Sequence, residues 1–167
     1  MKKFFPILLL AFVSLFIFSC QDDDEDFDTY SQSRDVVGSF NSSNNFGFTV
    51  PIGIQSTDVA LVYRKDINNG NAWQLLPKTY FLSGNRQLDY NFLFSTQTVE
   101  IYTEANFDQS SLSVGEANQY LNNQTFRVVL VPASAAKGTA SVDTSNYNAV
   151  IKYYNIDESK IKTYKVN

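Results

Sequence analysis

Five carboxylates, Asp89, Glu100, Glu104, Asp108 and Glu116, are the side chains whose chemistry needs weighing first. Two of them could cleave a glycosidic bond, one acid protonating the leaving oxygen while its partner attacks or activates water, if they stood roughly 5–9.5 Å apart. Glu100 and Glu104 share a face if residues 99–104 form a strand, and at roughly 3.3 Å per residue they are then about 13 Å apart. A solvated strand face is the better reading of that pair. The chain contains no histidine, which removes any Ser-His-Asp or Cys-His pairing, any histidine metal cluster and any imidazole base. Asp66, Asn68 and Gly70 offer the oxygens and glycine of a calcium loop, but the glycine comes one place early and Pro77 stands where a glutamate is required. That stretch reads as a hairpin turn. Neither a glycine-rich phosphate loop nor a CxxC element is present. The expectation is a protein that is not an enzyme, with no catalytic residues, no cofactor and no metal ligands.

The one cysteine, Cys20, has no internal disulfide partner. It follows Lys2 and Lys3, a mostly apolar run from Phe4 to Phe18, and Ser19. A positive end, a short apolar core and a small residue before the cut are the parts of a secretory signal. The run is shorter than the roughly 20 residues a spanning helix needs, and Pro6 interrupts its start, so removal is favoured over a retained anchor. Ile17, Phe18, Ser19 and Cys20 resemble a bacterial lipobox, with Ile17 and Phe18 where leucine and a small residue are usual. The resemblance implies that Cys20 is lipidated and becomes the first residue of the mature protein. Gln21, Asp22, Asp23, Asp24, Glu25 and Asp26, with Phe27 and Asp28 behind them, are similar to the acidic export signal of Bacteroidetes lipoproteins. That likeness implies sorting to the outer face of the outer membrane; a solvated, self-repelling linker is the other reading of the same run.

Charge divides the chain in the same place. The whole chain carries −4, but from Cys20 onward it has 11 basic and 17 acidic residues, or −6, and six of those acids lie in Asp22–Asp28. From Thr29 the two signs balance at 11 each. A balanced domain lacks the basic face that nucleic acid asks for, so no nucleic-acid partner is expected. Membrane contact is expected through acyl chains on Cys20, with the lipoprotein processing and sorting machinery as partners.

The elements behind these residues read as strands. Residues 1–19 are the signal peptide, 20–34 the lipidated cysteine and flexible acidic linker, and 35–167 one β-rich domain. Nine Phe and ten Tyr follow Cys20, with frequent Asn and Ser, a composition of strands and polar turns. Strand signals lie at residues 35–40 and 46–50, expected to form an edge hairpin, and at 58–64, apolar on both faces and therefore central. They continue from Trp73, where Pro77 limits pairing, through 80–82 and then 88–94, where Leu88, Tyr90, Phe92 and Phe94 alternate with Asp89, Asn91, Leu93 and Ser95. The last are 99–104 and 125–131, the latter nearly continuous apolar except for Arg127 and so central. Residues 106–123 read as a long polar loop. Tyr147, Val150, Ile151 and Tyr154 have helical spacing, with Thr144 or Ser145 available as a cap, a β-strand over residues 149–154 being the other reading, and residues 161–166 form a short basic strand or a frayed end. The fold class expected is mainly β: an antiparallel β-sandwich, immunoglobulin-like or related, with one short C-terminal helix covering an edge or an end.

The succession DVALVYRK, WQLLP, the alternating aromatic strand, TFRVVLVPA and NYNAVIKYYNID is similar to a group of small Bacteroidetes lipoproteins of uncharacterised function. The group implies a cleaved lipid signal and one β-rich domain, and no catalytic residues. Three function classes follow: a non-enzymatic lipid-anchored surface protein binding a protein or glycan, a structural or fimbria-like accessory subunit, and a weak carboxylate-dependent hydrolase.

Overall fold

The computed structural model describes residues 32–133 and 142–166. Cys20 and Gln21–Asp26 lie outside the described residues. Nine strands form two packed sheets: β1 (Gln32–Gly38), β2 (Gly47–Pro51), β3 (Val59–Asp66), β4 (Ala72–Leu75), β5 (Lys78–Leu82), β6 (Arg86–Phe94), β7 (Thr98–Ala105), β8 (Gln124–Val131) and β9 (Lys162–Lys165). One sheet has the order β4-β3-β8-β1-β9 and the other β2-β7-β6-β5. The expected sandwich is present, and β3 and β8 are interior strands.

Both faces of the five-stranded sheet are covered, which explains why β3 and β8 read as continuous apolar runs. Ala60 and Val62 of β3 and Phe126, Val128 and Leu130 of β8 face the second sheet. Their neighbours Leu61, Tyr63, Val129 and Val131 face a helix on the outside. Phe40, Phe48, Tyr90 and Phe126 form the centre of the inter-sheet core, with ring centroids 5.2 Å apart for Phe40–Phe48 and 5.8 Å for Phe40–Phe126. Each such pair contributes about 0.5–1.5 kcal/mol beyond its buried area. Gly38 is fitted to this cluster, since a Cβ there would stand 2.5 Å from the Phe48 ring.

Several expectations are corrected. Residues Gln32–Arg34, read as linker, are strand, because they pair with Leu130–Val128 of β8. Residues 35–40 and 46–50 do not form a hairpin: β1 belongs to one sheet and β2 pairs with β7 in the other. The turn between them, Ser42–Asn44, is a 3-10 turn capped by Asn41, and it carries the chain from sheet to sheet. Residues 106–123 are not a loop throughout; they contain helix α1 (Val114–Tyr120), whose Ser113 and Glu116 form a capping box. Among the described residues there are thus two α-helices where one was expected. The later one, α2 (Tyr147–Tyr153), is capped by Asn146, not by Thr144 or Ser145. It lies on the outer face of the five-stranded sheet and not at an edge or end, since Tyr147 and Val150 pack on Tyr63, Val129 and Val131. The terminal strand is ordered, and its pairing with β1 is parallel, unlike the other pairs. No described helix is long and apolar enough to cross a membrane.

Candidate functional site

The two ends of the sandwich differ in how they are built. β1 starts at Gln32, opposite Leu130, and finishes at Gly38, opposite Gln124. The chain therefore enters the fold at one end and reaches the other about 20 Å later, at roughly 3.3 Å per residue. At the entry end, Asp58 accepts from Gln55 N at 2.9 Å and Ala133 N at 3.1 Å. At the far end lie the 106–123 connection, the Ser42–Asn44 turn, the β3–β4 turn and the last residues of β9.

A buried arginine holds the far end together. Arg64 is 1 % exposed and, among the described residues, has no carboxylate in an ion pair with it. Its guanidinium donates to Gln124 Oε1 at 2.6 Å, Tyr80 Oη at 2.8 Å and the Gln119 carbonyl at 2.9 Å, and it lies 4.7 Å over the Tyr90 ring and 4.9 Å over the Tyr80 ring. The Tyr90 hydroxyl donates to the Tyr120 carbonyl, and Gln124 Nε2 donates to the carbonyls of Asn118 and Asn122. The carbonyls of Asn118, Gln119 and Tyr120 belong to the C-terminal end of α1, which carries partial negative charge, and that of Asn122 follows just beyond it. Two π-faces, three oxygens and a helix C-terminus thus take the place of a counter-ion. Burial pushes the Tyr90 hydroxyl pKa up, so that hydroxyl stays a donor. At the other end of α1, Arg86 pairs with Glu116, and that hydrogen bond together with those from Ser113 holds the Glu116 carboxyl down to about 2.

Beside this clamp is a cavity of about 380 Å³ lined by Val37, Gly38, Ser39, Asn41, Ser43, Asn123, Lys165 and Val166. Its walls come from four places in the chain, joined by backbone hydrogen bonds. Phe40 N donates to Leu121 O at 2.9 Å and Val166 N to Val37 O at 3.0 Å, while Asn123 N donates to Ser39 Oγ at 2.9 Å. Asn123 holds a left-handed backbone, φ 49°, which asparagine tolerates better than most residues. Asn41 Oδ1 accepts from the N–H groups of Ser43 and Asn44. Among the described residues the Asn41 amide nitrogen, the Asn123 side-chain amide and the Lys165 ammonium have no hydrogen-bond or ion-pair partner. Among the described residues no carboxylate lines the cavity.

Of the carboxylates weighed from sequence, Asp89 on β6 and Glu104 on β7 stand directly opposite each other across the strand pair, and the other three lie elsewhere on β7, at the Gln109–Ser111 turn and on α1. Asp89 accepts from Thr79 and Gln87, Glu104 from Asn91, and Asp108 caps a 3-10 turn at Gln109–Ser111. Glu100 is exposed on β7, and Glu116 serves α1. The acids whose pKa moves, Glu116, Asp143, Asp157 and Glu158, all move down, the wrong direction for a proton donor at neutral pH. Asp66 accepts from Asn68 N at 3.1 Å within the β3–β4 turn, and no acidic cluster able to hold a metal occurs among the described residues.

Sequence reasoning missed both buried arginines. Arg127, in β8, pairs with Asp35 at 2.6 Å and Glu158 at 2.6 Å, donates to the Tyr147 hydroxyl and lies 4.4 Å over Trp73. The signal was a lone cation inside an apolar run, which marks a strand face that is covered. The polar cavity had no such signal, since its serines and asparagines read as turn residues. No family model matches the chain, and neither a curated protein nor a solved structure matches it.

Proposed function

We propose that this protein is a non-enzymatic lipoprotein, anchored through acyl chains on Cys20 in the outer membrane and facing the cell exterior, which binds a partner with the end of its domain farthest from the anchor. One observation carries the reading: the chain enters the sandwich at Gln32 and the polar cavity lies at the opposite end of β1. A domain tethered by its N-terminus presents such a cavity outward. The acidic run Gln21–Asp26 supports sorting to the surface, and hydrolysis has less in its favour because the facing acids Asp89 and Glu104 are each engaged by neighbouring side chains, Thr79 and Gln87 for one and Asn91 for the other. Assembly by strand exchange has less in its favour, because the edge strand β2 ends at Pro51 and the edge strand β9 carries Lys162 and Lys165, devices that blunt edges.

The test is mass spectrometry of the mature amino terminus. A diacyl or triacyl Cys20 is expected, with Cys20→Ala leaving the signal uncut at that site. An unmodified Cys20 on an uncut chain would sink the proposal.

A further inference from the structure

We propose that the cavity between the Ser42–Asn44 turn, Asn123 and the end of β9 binds a sugar unit bearing a carboxylate, that is, a hexuronate at the end of or within a glycan. This deepens the reading of the anchor-distal end as the recognition surface and rests on it.

The charge of the ligand follows from the lining. Among the described residues Lys165 is the one ionisable side chain lining the cavity, it has no ion pair, and no acid lines the wall with it. On a chain whose net charge is −4, this is a local positive site, suited to one negative charge.

The rest of the ligand follows from the neutral groups. Ser39 Oγ accepts from Asn123 N and keeps its own proton to donate. The Asn41 amide nitrogen can donate, the Asn123 amide can both donate and accept, and Ser43 Oγ, which donates to Asn41, keeps its lone pairs. Donors and acceptors interspersed in this way match a polyol, whose hydroxyls each do both. Val37 and Val166 supply aliphatic surface for the C–H face of a ring. The volume, about 380 Å³, falls in the roughly 300–1,000 Å³ range of small-molecule clefts.

A phosphate fits less well. Phosphate sites use converging backbone N–H groups, and here the N–H groups of Ser43 and Asn44 are already occupied by Asn41 Oδ1. With those amides taken and a single lysine present, a planar carboxylate on a hydroxylated ring is the better partner. The walls are also pre-organised: the Asn41 capping box, the Ser39–Asn123 bond and the Val166–Val37 bond fix the cavity without a ligand.

The experiment is calorimetric titration of the full, lipidated chain in detergent with oligogalacturonate and oligoglucuronate, against neutral oligogalactose and against acetate and inorganic phosphate. Uronate binding is expected, weakened about tenfold or more by Lys165→Gln, as loss of a charge-assisted hydrogen bond predicts, and restored in Lys165→Arg. Asn123→Gly, which keeps the left-handed backbone but removes the amide, should weaken it as well. Neutral sugars bound as tightly as uronates, phosphate or acetate bound as tightly as uronates, absence of uronate binding, or indifference to Lys165→Gln would each overturn the inference. Those failures leave acylation of Cys20 untouched, whereas an unacylated Cys20 defeats the functional reading whatever the titration gives.

Discussion

Arg64 is worth more to this fold than any ion pair on its surface, because two acceptors would be stranded without it. The Gln119 carbonyl and Gln124 Oε1 depend on its guanidinium, while Tyr80 Oη, which it also meets, has Asp66 Oδ2 at 3.4 Å as a second partner. Arg64→Met keeps the volume but removes every donor, and buried acceptors left unmet cost about 1–3 kcal/mol each before relaxation. The expected loss is on the order of 3 kcal/mol, read as a lower urea midpoint with an unchanged slope. Arg64→Lys should recover little, since one ammonium on a flexible stem cannot reproduce the planar fork. An unchanged midpoint in Arg64→Met would show that the end of α1 is held by other contacts. In the sequence Arg64 stands at the close of an apolar run and looks like the polar stop of a strand. Its burial depends on Tyr80, Tyr90 and Gln124, from three other strands, and no local pattern encodes that convergence.

At the scale of elements, local chemistry was legible and long-range covering was not. The alternation of Leu88, Tyr90 and Phe92 marked β6, the two-sided apolar runs marked β3 and β8 as interior, and the 3.6-residue spacing of Tyr147, Val150, Ile151 and Tyr154 marked α2. The same runs held the clue to where α2 packs, since a strand apolar on both faces needs a cover on each side. The helix α1 was missed because VGEANQY has no apolar stripe; its ends are fixed by the Ser113–Glu116 box and by side chains from distant strands. The sheet change between β1 and β2 was missed because a polar turn with Asn45 at φ 52° suits a hairpin and a crossover equally. The acidic end of α1 makes a pH prediction. Glu116 has its pKa lowered from 4.5 to about 2 in the fold, so its contribution is present above about pH 4.5 and is lost as pH falls toward about 2. Thermal unfolding followed between pH 6 and pH 2 should show a smaller acid-induced drop in Tm for Glu116→Gln than for the parent. Equal drops would assign the acid sensitivity to other carboxylates, Glu158 first among them, since the Tyr147 hydroxyl and the Arg127 guanidinium also hold it low.

For the whole molecule, the arrangement is a sandwich with an entry end and a built end. The entry end leads back through residues 20–31 toward Cys20. The built end carries α1, the clamped Arg64 and the polar cavity. The proposed surface display agrees with the balanced charge of residues 29–167, and recognition is the role proposed for the polar cavity. Cys20 is the only cysteine, so with Cys20 acylated as proposed a thiol introduced elsewhere would be unique. Asn69, exposed in the β3–β4 turn at the built end, is a position for one. The direct test of the account is labelling of Asn69→Cys on intact cells with a membrane-impermeant maleimide. The account predicts full labelling without permeabilisation; labelling that appears only after the cells are lysed would contradict it.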